Sequence, residues 1–466
     1  MDIAFEPANP AVTDAGTLLR IGDECLLVDP GPGTDVKSLL APSDRLIGIC
    51  LTHLHEDHIA GLPDAATAAD VPIYTSPPTA RMLAEFCDHA VSHSQAAFTS
   101  GYGFWSLSKT AAHQIKTVLT PVEAKCQPTS RISVRFVPAG HIPGGAGVIV
   151  TVVDGVNIRR LFFSGDFSTH AVGQTPGLDV SGVASAVDID TLFLNSTVRQ
   201  DDTYAKTLTT AFAQVLEAVA AGQKVLVAAS SLTGVHFGYW LGRLTQDRQK
   251  ESQVTIAGLT ARLYQRLGYD TESVEMALEY DPEEICSNGQ VVITAPGDFE
   301  SGGAAKVSSA IAGDPNTAII QIPSGGERDE KGTVADHIYR FNPHPTQAEV
   351  DSAVQSLNPA QVIVCHGPTN PYKDRYEFAL TWRDTGQQGT QHTIVTSGRL
   401  APPEWVSRST ADQILARNQH RQAEMPTPRG DDELQWDDDA ALKPGDARID
   451  RERLSTQRRR STESGS

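Results

Sequence analysis

The chain has 466 residues, of which 40% are apolar, and a formal net charge of −19 at pH 7. This length and apolar content favour two folded units plus a tail over one small domain. No membrane span is expected, because no apolar run approaches about 18 residues, and the N-terminal segment lacks the basic and apolar regions of a signal peptide.

Cysteine usage and charge indicate the compartment and the surface. The six cysteines are widely scattered without a C-x-x-C pair, which argues against a disulfide framework and predicts a cytoplasmic protein. Most of the 38 basic residues are arginines, and this acidic, lysine-poor composition resembles that of proteins from salt-loving microbes. An ordinary acidic cytosolic protein is the alternative. Such a surface repels nucleic acid unless basic residues cluster locally or salt screens the field.

Short apolar runs rich in β-branched residues recur between turn signals, and each predicts a buried strand. The runs span residues 25–33, 45–53, 132–141, 147–155, 159–166, 190–197, 223–230, 290–297, 317–325 and 361–367. Helix-like segments at 204–221 and 345–357 lie among them, and Asp154-Gly155 predicts a hairpin turn. Strands that alternate with helices indicate an α/β protein.

The C-terminal segment has a different character. Residues 403–466 are expected to form a charged, disordered tail, since an acidic block, DDELQWDDD, and a basic one, RRRSTESGS, follow one another with few apolar residues. Arginines 458–460 could bind nucleic acid, but a tail that is only solvated is the simpler interpretation.

The segment ICLTHLHEDHIAGL carries the most specific motif, H-x-H-x-D-H. It follows a β-rich run and precedes a helix expected to begin near Ile59, so its side chains project from the end of a sheet. His53 and His55 can point the same way from an extended segment and share one ion, whereas Asp57 and His58 can reach a second. Imidazole and carboxylate groups together suit divalent ions such as Zn²⁺.

Further candidate ligands stand at other strand ends. His141 follows FVPAG, Asp166 follows FFSG, and His366 follows QVIVC. Asp29, in LLVDPG, is a candidate for orienting a ligand histidine from outside the metal site. Each of these residues alone is more often structural, but their order, together with the histidine-rich motif, is highly specific.

The motifs LLVDPG, THLHEDH, AGH and SGD, in this order, resemble those of the metallo-β-lactamase superfamily. The resemblance implies a four-layer αβ/βα sandwich with two divalent metal ions, Zn²⁺ being favoured, at one edge of its sheets. The implied ligands are His53, His55 and His141 for one ion, Asp57, His58 and His366 for the other, and Asp166 for both. Asp57 would thus belong to the catalytic centre, where the ions ionise a shared water and stabilise transition-state charge.

The long stretch between Asp166 and His366 leaves room for an inserted domain. APGDFESGG (295–303), the following strand with Gly332-Thr333, and FNPHPTQAEVDSAVQSLNPAQVIVCHG are similar to segments of the β-CASP branch. That branch includes ribonuclease J, the polyadenylation-site endonuclease subunit and archaeal relatives. The resemblance implies a metallo-β-lactamase domain formed by residues 1–197 and 341–402, and an inserted α/β β-CASP-like domain at 198–340.

The same resemblance implies a substrate. His344 would face the scissile phosphate and donate a proton to the leaving oxygen, although a structural histidine is the alternative. A histidine at the position of His366 goes with RNA rather than DNA in this family. The leading hypothesis is therefore a cytoplasmic ribonuclease or RNA-processing phosphodiester hydrolase, with RNA as partner, no membrane partner, and a homodimer left open.

Two departures from the family pattern keep other hypotheses open. Asn195 stands where the family has an acidic residue; it can hydrogen-bond a histidine from the second shell of the site but supplies no charge. Val235 stands where an arginine is expected, and the absence of that guanidinium would weaken phosphate binding. Arg199, His236 or Arg328 could compensate, with none of them favoured. The alternatives are a hydrolase of a small-molecule ester or phosphoester, and a weakly active RNA-binding partner subunit.

Overall fold

The structure is a computed structural model. It describes residues 1–9, 15–93, 96–99, 104–200, 203–245, 254–323, 334–340, 342–367, 372, 375–381, 391–403 and 406–424. The strands are β1 (Ile3–Pro7), β2 (Thr17–Ile21), β3 (Glu24–Val28), β4 (Arg45–Leu51), β5 (Ile73–Thr75), β6 (Ala96–Thr99), β7 (Phe104–Leu107), β8 (Leu119–Pro121), β9 (Ile132–Pro138), β10 (Ala146–Asp154), β11 (Asn157–Phe163), β12 (Thr191–Asn195), β13 (Lys224–Ala229), β14 (Val254–Ala257), β15 (Glu275–Ala277), β16 (Val291–Thr294), β17 (Thr317–Ile322), β18 (His337–Ile338), β19 (Gln361–Cys365), β20 (Ala379–Thr381), β21 (His392–Thr396) and β22 (Arg399–Leu400). The helices are α1 (Val36–Leu39), α2 (Glu56–Ile59), α3 (Leu62–Ala68), α4 (Pro77–His93), α5 (Lys109–Val118), α6 (Val180–Ala186), α7 (Tyr204–Ala220), α8 (Ser231–Thr245), α9 (Leu259–Arg266), α10 (Gly302–Ala310), α11 (Gln347–Leu357) and α12 (Arg408–Glu424).

Two sheets stack face to face in the part of the chain described above. One runs β22-β21-β1-β2-β3-β4-β5-β8, and the other runs β20-β19-β12-β11-β10-β9. Side chains alternate between the two faces of a strand. Leu26 and Val28 of β3 therefore enter the apolar core between the sheets, whereas Cys25 and Leu27 enter the core on the outer face.

Helices cover the outer face of each sheet. Ala65 of α3 and Leu83 of α4 pack in the same core as Leu27, outside the first sheet. Val183 of α6 and Val350 of α11 pack outside the second sheet. The layers therefore run helix, sheet, sheet, helix, and the predicted αβ/βα sandwich is confirmed.

A third sheet lies between β12 and β19 in sequence. It runs β15-β14-β16-β13-β17-β18 with every pair parallel, and α8 and α9 pack on one face while α10 packs on the other. β12 and β19 themselves pair directly, with Asn195 opposite Cys365. The range 198–340 encloses this sheet, and the domain boundaries given from the sequence remain a prediction.

Most predicted elements coincide with observed ones. All ten apolar runs contain strands, and the Asp154-Gly155 turn joins β10 to β11 in an antiparallel hairpin. The segments 204–221 and 345–357 contain α7 and α11.

The structure differs from the sequence expectations in two places. The helix expected near Ile59 begins earlier, with α2 at Glu56, because two acidic side chains occupy its first turn and favour a helix N-terminus. α12 occupies part of the expected tail; Ile414 is fully buried in the core between the sheets, and the Arg417 guanidinium lies 3.9 Å from the Phe378 ring.

Some expectations lie outside the described residues. These are the features at Arg328, at Gly332-Thr333 and in the segment after Glu424, including arginines 458–460. Within the described ranges, no helix combines the length and the apolarity needed to cross a bilayer.

Candidate metal centre

Asp29 and the candidate ligands follow the carboxyl ends of strands at one edge of the two central sheets. Asp29 follows β3, His53 follows β4, and His141 comes shortly after β9. Asp166 comes shortly after β11, and His366 directly follows β19. Since these strands end at the same edge, residues far apart in sequence converge there.

Backbone conformation aims several of these side chains. Asp29, His141 and His366 have φ values of 50°, 64° and 50°, in the left-handed region that non-glycine residues rarely adopt. Gly165, just before Asp166, has φ 56°, and a Cβ there would lie 2.8 Å from the Thr52 side chain. Such conformations concentrate at functional sites, where the surrounding structure offsets their cost.

Three imidazoles form the first half of the cluster. Nδ1 of His55 lies 3.1 Å from Nε2 of His53 and 2.9 Å from Nε2 of His141. Nε2 of His141 is also 3.4 Å from Oδ2 of Asp166. The four side chains place one ligand atom each within 4.8 Å of the others.

The second half combines carboxylates with two histidines. Nε2 of His366 lies 3.3 Å from Oδ2 of Asp57, and Nε2 of His58 lies 4.0 Å from the same oxygen. Oδ1 of Asp166 is 3.3 Å from Nε2 of His58 and 3.8 Å from Nε2 of His366. Asp166 thus directs Oδ2 to the first half and Oδ1 to the second.

This donor set fits divalent metal ions. Nitrogen ligands at about 2.0–2.1 Å from a tetrahedral Zn²⁺ lie about 3.3 Å from one another, close to the spacings around His55. Imidazole nitrogens and carboxylate oxygens are also the ligand types that such ions prefer. The structure brings together all seven residues expected as ligands, in two groups that share the position of Asp166.

Charge in the cluster is divided between its halves. Burial lowers the pKa of His53 and His141, and lowers that of His55 to about 4, so these imidazoles stay neutral. Burial opposes ionisation of Asp57, but His58 and His366 lower its pKa to about 2. Burial opposes protonation of His58 and His366, but the Asp166 and Asp57 carboxylates raise the pKa of both imidazoles. The first half therefore presents neutral nitrogens, and the second half presents ionised carboxylates beside imidazoles whose protons a bound cation would displace.

Asp29 and Thr52 orient two of the histidines. Oδ2 of Asp29 accepts hydrogen bonds from Nδ1 of His58 at 2.9 Å and from the Thr52 hydroxyl at 2.6 Å. The Thr52 oxygen lies 3.0 Å from Nδ1 of His53 and can only accept there, since its proton goes to Asp29. Both imidazoles therefore carry a proton on Nδ1 and turn Nε2 toward the cluster, which is the usual arrangement of histidines that bind metal ions.

Asn195 contacts a carboxylate rather than a histidine. Its Nδ2 donates to Oδ1 of Asp166, and its Oδ1 accepts from the main-chain N–H of Thr197 at 2.8 Å. The sequence suggested a histidine partner. The amide orientation is different because the main-chain donor of Thr197 fixes Oδ1, which leaves Nδ2 for Asp166.

His344 lies against the cluster. Its Nε2 is 3.6 Å from Oδ2 of Asp166, and its ring centre is 4.4 Å from that of His141. Its carbonyl oxygen accepts a hydrogen bond from Arg199, which also pairs with Glu349.

Sequence reasoning missed Glu349, Thr52 and His170 around this site. His170 is buried, with Nε2 3.3 Å from Nη2 of Arg199 and 3.7 Å from Oε1 of Glu349. One signal was available, because Thr346 and Glu349 have the T-x-x-E spacing of a capping box at the start of α11. Nothing in the local sequence indicated that this glutamate would reach an arginine after β12.

His236 does not compensate for the arginine that is missing at Val235. Val235 is fully buried in the apolar core that includes α8. His236 is buried between Gly173, whose N–H donates to its Nδ1 at 2.9 Å, and the Tyr204 hydroxyl, 3.2 Å from its Nε2. The contacts of His236 are therefore structural. The guanidinium of Arg199 forms an ion pair with Glu349.

The sandwich and the histidine- and aspartate-rich cluster at its edge agree with a comparison to known families. Residues 16–191 match the family model of the metallo-beta-lactamase superfamily. A crystal structure of a protein of unknown function from Enterococcus faecalis V583 has a similar fold, with a TM-score of 0.55 over 84% of this chain and 99% of that one. The two sequences are 12% identical, so the likeness concerns the fold alone. No curated protein matches this chain.

Proposed function

We propose that the protein is a metal-dependent hydrolase of phosphodiester bonds, and that RNA is its substrate class. The observation that carries this proposal is the position of His344. It reaches the candidate metal cluster from a segment that contributes none of the seven ligand positions, with Nε2 3.6 Å from the shared Asp166 carboxylate.

The two halves of the cluster provide the binding groups for two divalent ions, of which Zn²⁺ suits the donors best. Ions held there would act as Lewis acids and would favour the ionisation of water near neutral pH. The chain's own contribution is orientation: Asp29 and Thr52 fix the imidazoles of His53 and His58, and Asn195 fixes the Asp166 carboxylate.

His344 is suited to proton transfer. A group that protonates a leaving oxygen must lie beside the reacting centre without being consumed as a ligand. Nδ1 of His344 makes no hydrogen bond to any described residue, and Nε2 is directed at the cluster. We assign His344 the role of proton donor to the leaving oxygen. Asp57 belongs to the catalytic centre as one of the candidate metal ligands.

RNA as the substrate is supported by the β-CASP resemblance. The third sheet occupies the sequence interval between β12 and β19 where that resemblance implies an inserted domain, and His366 occupies the position that goes with RNA. Scattered cysteines and acidic composition support action in the cytoplasm, in a salt-loving archaeal host.

Buried Val235 favours a second candidate, hydrolysis of a small phosphoester. Without a guanidinium at that position, an extended polyanion loses one expected phosphate contact. A small phosphoester would not need that contact.

The test combines two substrates with three variants. The metal-loaded protein is assayed on an RNA oligonucleotide and on bis(p-nitrophenyl) phosphate, at low and high salt, alongside Asp57→Ala, His344→Ala and His113→Ala. His113 is an exposed residue of α5 and serves as the control.

RNA cleavage that both site variants abolish and His113→Ala retains is the expected result. Turnover of only the small ester would support the second candidate. Bound metal without turnover of either substrate would overturn both and indicate a binding subunit.

A further inference from the structure

A buried arginine connects the exit of β12 with the segment that carries His344. The main-chain N–H of Arg199 donates to the carbonyl oxygen of Pro345 at 3.0 Å, and Arg199 and Thr346 form an isolated parallel bridge. The side chain of Arg199, which is 5% exposed as a residue, donates from Nη1 to the carbonyl oxygen of His344. Arg199 therefore holds this segment through its main chain and its guanidinium.

Glu349 fixes the guanidinium from the other side. Its Oε2 lies 2.8 Å from Nη2 of Arg199. The same oxygen accepts hydrogen bonds from the main-chain N–H of Thr346 at 2.7 Å and from its hydroxyl at 2.9 Å. Oε1 accepts a hydrogen bond from the Thr169 hydroxyl. Both carboxylate oxygens therefore accept hydrogen bonds, and Glu349 is held by contacts other than the one to Arg199.

The ring of His344 has few hydrogen-bonding constraints. Its main-chain N–H donates to Oδ1 of Asn342 at 2.9 Å, and its Nδ1 has no hydrogen-bond partner among the described residues. Asn195, the residue expected to bond a histidine here, donates to Asp166 instead. The distance between the His344 ring and Asp166 thus depends on where the main chain of His344 is held.

We propose that Arg199, locked by Glu349, is a positioning residue that sets the placement of His344 at the metal centre. The inference rests on the proposed function only in taking His344 as the proton donor. Because the guanidinium is directed at a carbonyl oxygen and a carboxylate, it holds the donor in place and does not bind the substrate phosphate. A displacement of about 1 Å at such a donor can cost about 100-fold in rate.

A matched control is an arginine that pairs with another carboxylate of α11, the helix that carries Glu349. Arg375 pairs with Asp351 of α11, with Nε 2.6 Å from Oδ1. The Arg375 side chain is 39% exposed, and its described contacts do not include His344. Arg375→Met therefore removes an arginine–carboxylate pair from α11 without altering the support of His344.

The first readout is kinetic, on metal-loaded full-length protein. In Arg199→Met we expect kcat to fall on the order of 100-fold, with KM and bound metal unchanged. Arg199→Lys and Glu349→Gln should lose less, and Arg375→Met should keep the wild-type kcat. Adding Arg199→Met to His344→Ala should cause no further loss, because both changes remove the same contribution.

The second readout needs no turnover. In protein labelled with ¹³C-histidine, the His344 ring resonance is identified by its loss in His344→Ala. We expect this resonance to shift or broaden in metal-free Arg199→Met and to stay unchanged in Arg375→Met. If the wild type hydrolyses neither substrate, the proposed function fails, and this resonance alone decides whether Arg199 positions His344.

An unchanged kcat and an unchanged His344 resonance in Arg199→Met would overturn the proposal. The proposal would also be overturned if the kcat losses of Arg199→Met and His344→Ala multiplied in the double variant, because Arg199 would then act independently of His344. If Arg199→Met proves insoluble, Arg199→Lys and Glu349→Gln are judged by the same two readouts.

Discussion

Oδ2 of Asp29 lies 2.9 Å from Nδ1 of His58, and the two residues are 29 positions apart in sequence. A carboxylate accepts hydrogen bonds, so this contact keeps a proton on Nδ1 of His58 and turns Nε2 toward the position of a cation. Through the Thr52 hydroxyl, the same carboxylate also orients His53. Asp29 therefore sets the ring orientation in both halves of the cluster.

Replacing Asp29 should weaken metal binding without removing a ligand. In Asp29→Ala we expect about 10- to 100-fold lower affinity for Zn²⁺, the usual effect of losing such an outer partner. Competition titration with a chromogenic chelator measures it. Asp64→Ala, at an exposed position of α3, is the control and should bind as the wild type does. Equal affinity in both variants would contradict the orienting role.

Asn195→Asp should trade stability of the metal-free protein against metal binding. The new carboxylate would face Oδ1 of Asp166, where Asn195 now donates a hydrogen bond, and like charges in contact disfavour each other's ionisation. We expect a loss of about 1–3 kcal/mol in the metal-free protein, which added Zn²⁺ should largely restore. Urea unfolding with and without chelator measures it. A loss that persists undiminished with Zn²⁺ would argue against cation binding beside Asp166.

Restoring an arginine at position 235 should not restore a phosphate site. Val235 is fully buried in an apolar core, where an unpaired charge is costly. Val235→Arg should therefore destabilise the protein by more than about 3 kcal/mol. Val153→Arg, at a position that is 40% exposed, should change stability by less than about 0.5 kcal/mol. A stable Val235→Arg variant with tighter RNA binding would show that this helix can present a side chain to the substrate.

His236 should make stability depend on pH. Burial lowers its pKa from 6.5 to about 3, and Nδ1 accepts a hydrogen bond from Gly173, so the folded protein needs the neutral ring. The unfolded chain binds the proton first as pH falls below about 6.5, so the stabilisation is complete above that pH and decreases toward pH 3. Between pH 7 and pH 5 the His236 contribution should fall by about 2 kcal/mol.

The measurement is urea unfolding at both pH values for wild type and His236→Gln. The pH-dependent loss should be smaller in His236→Gln by about that amount. His113→Gln, at an exposed position of α5, should retain the wild-type loss. An identical loss in all three proteins would contradict the neutral, buried state of His236.

The central sheets and the cluster were predictable because their signals are local. Each ligand follows an apolar run with strand composition, and strand ends at one edge bring such residues together without any knowledge of the loops. His53, His55, Asp57 and His58 fall within six residues, so their proximity follows from the chain itself.

The supporting contacts were not predictable, because they depend on geometry between distant segments. Arg199 and Glu349 are 150 positions apart, and no local pattern pairs them. The side-chain amide of Asn195 can turn either its oxygen or its nitrogen toward the cluster. The main-chain N–H of Thr197 decides between the two orientations by donating to Oδ1. α12 has a polar sequence, and its placement depends on the burial of Ile414 among residues of the two sheets.

The central proposal is that the seven side chains gathered at this edge of the sheets hold a pair of divalent ions. Crystals grown with Zn²⁺ and measured at the zinc absorption edge test it directly. We predict two anomalous peaks about 3.5–4 Å apart, one among His53, His55 and His141 and the other among Asp57, His58 and His366, with Asp166 between them. A fully zinc-loaded crystal with no peak at this cluster would contradict the account.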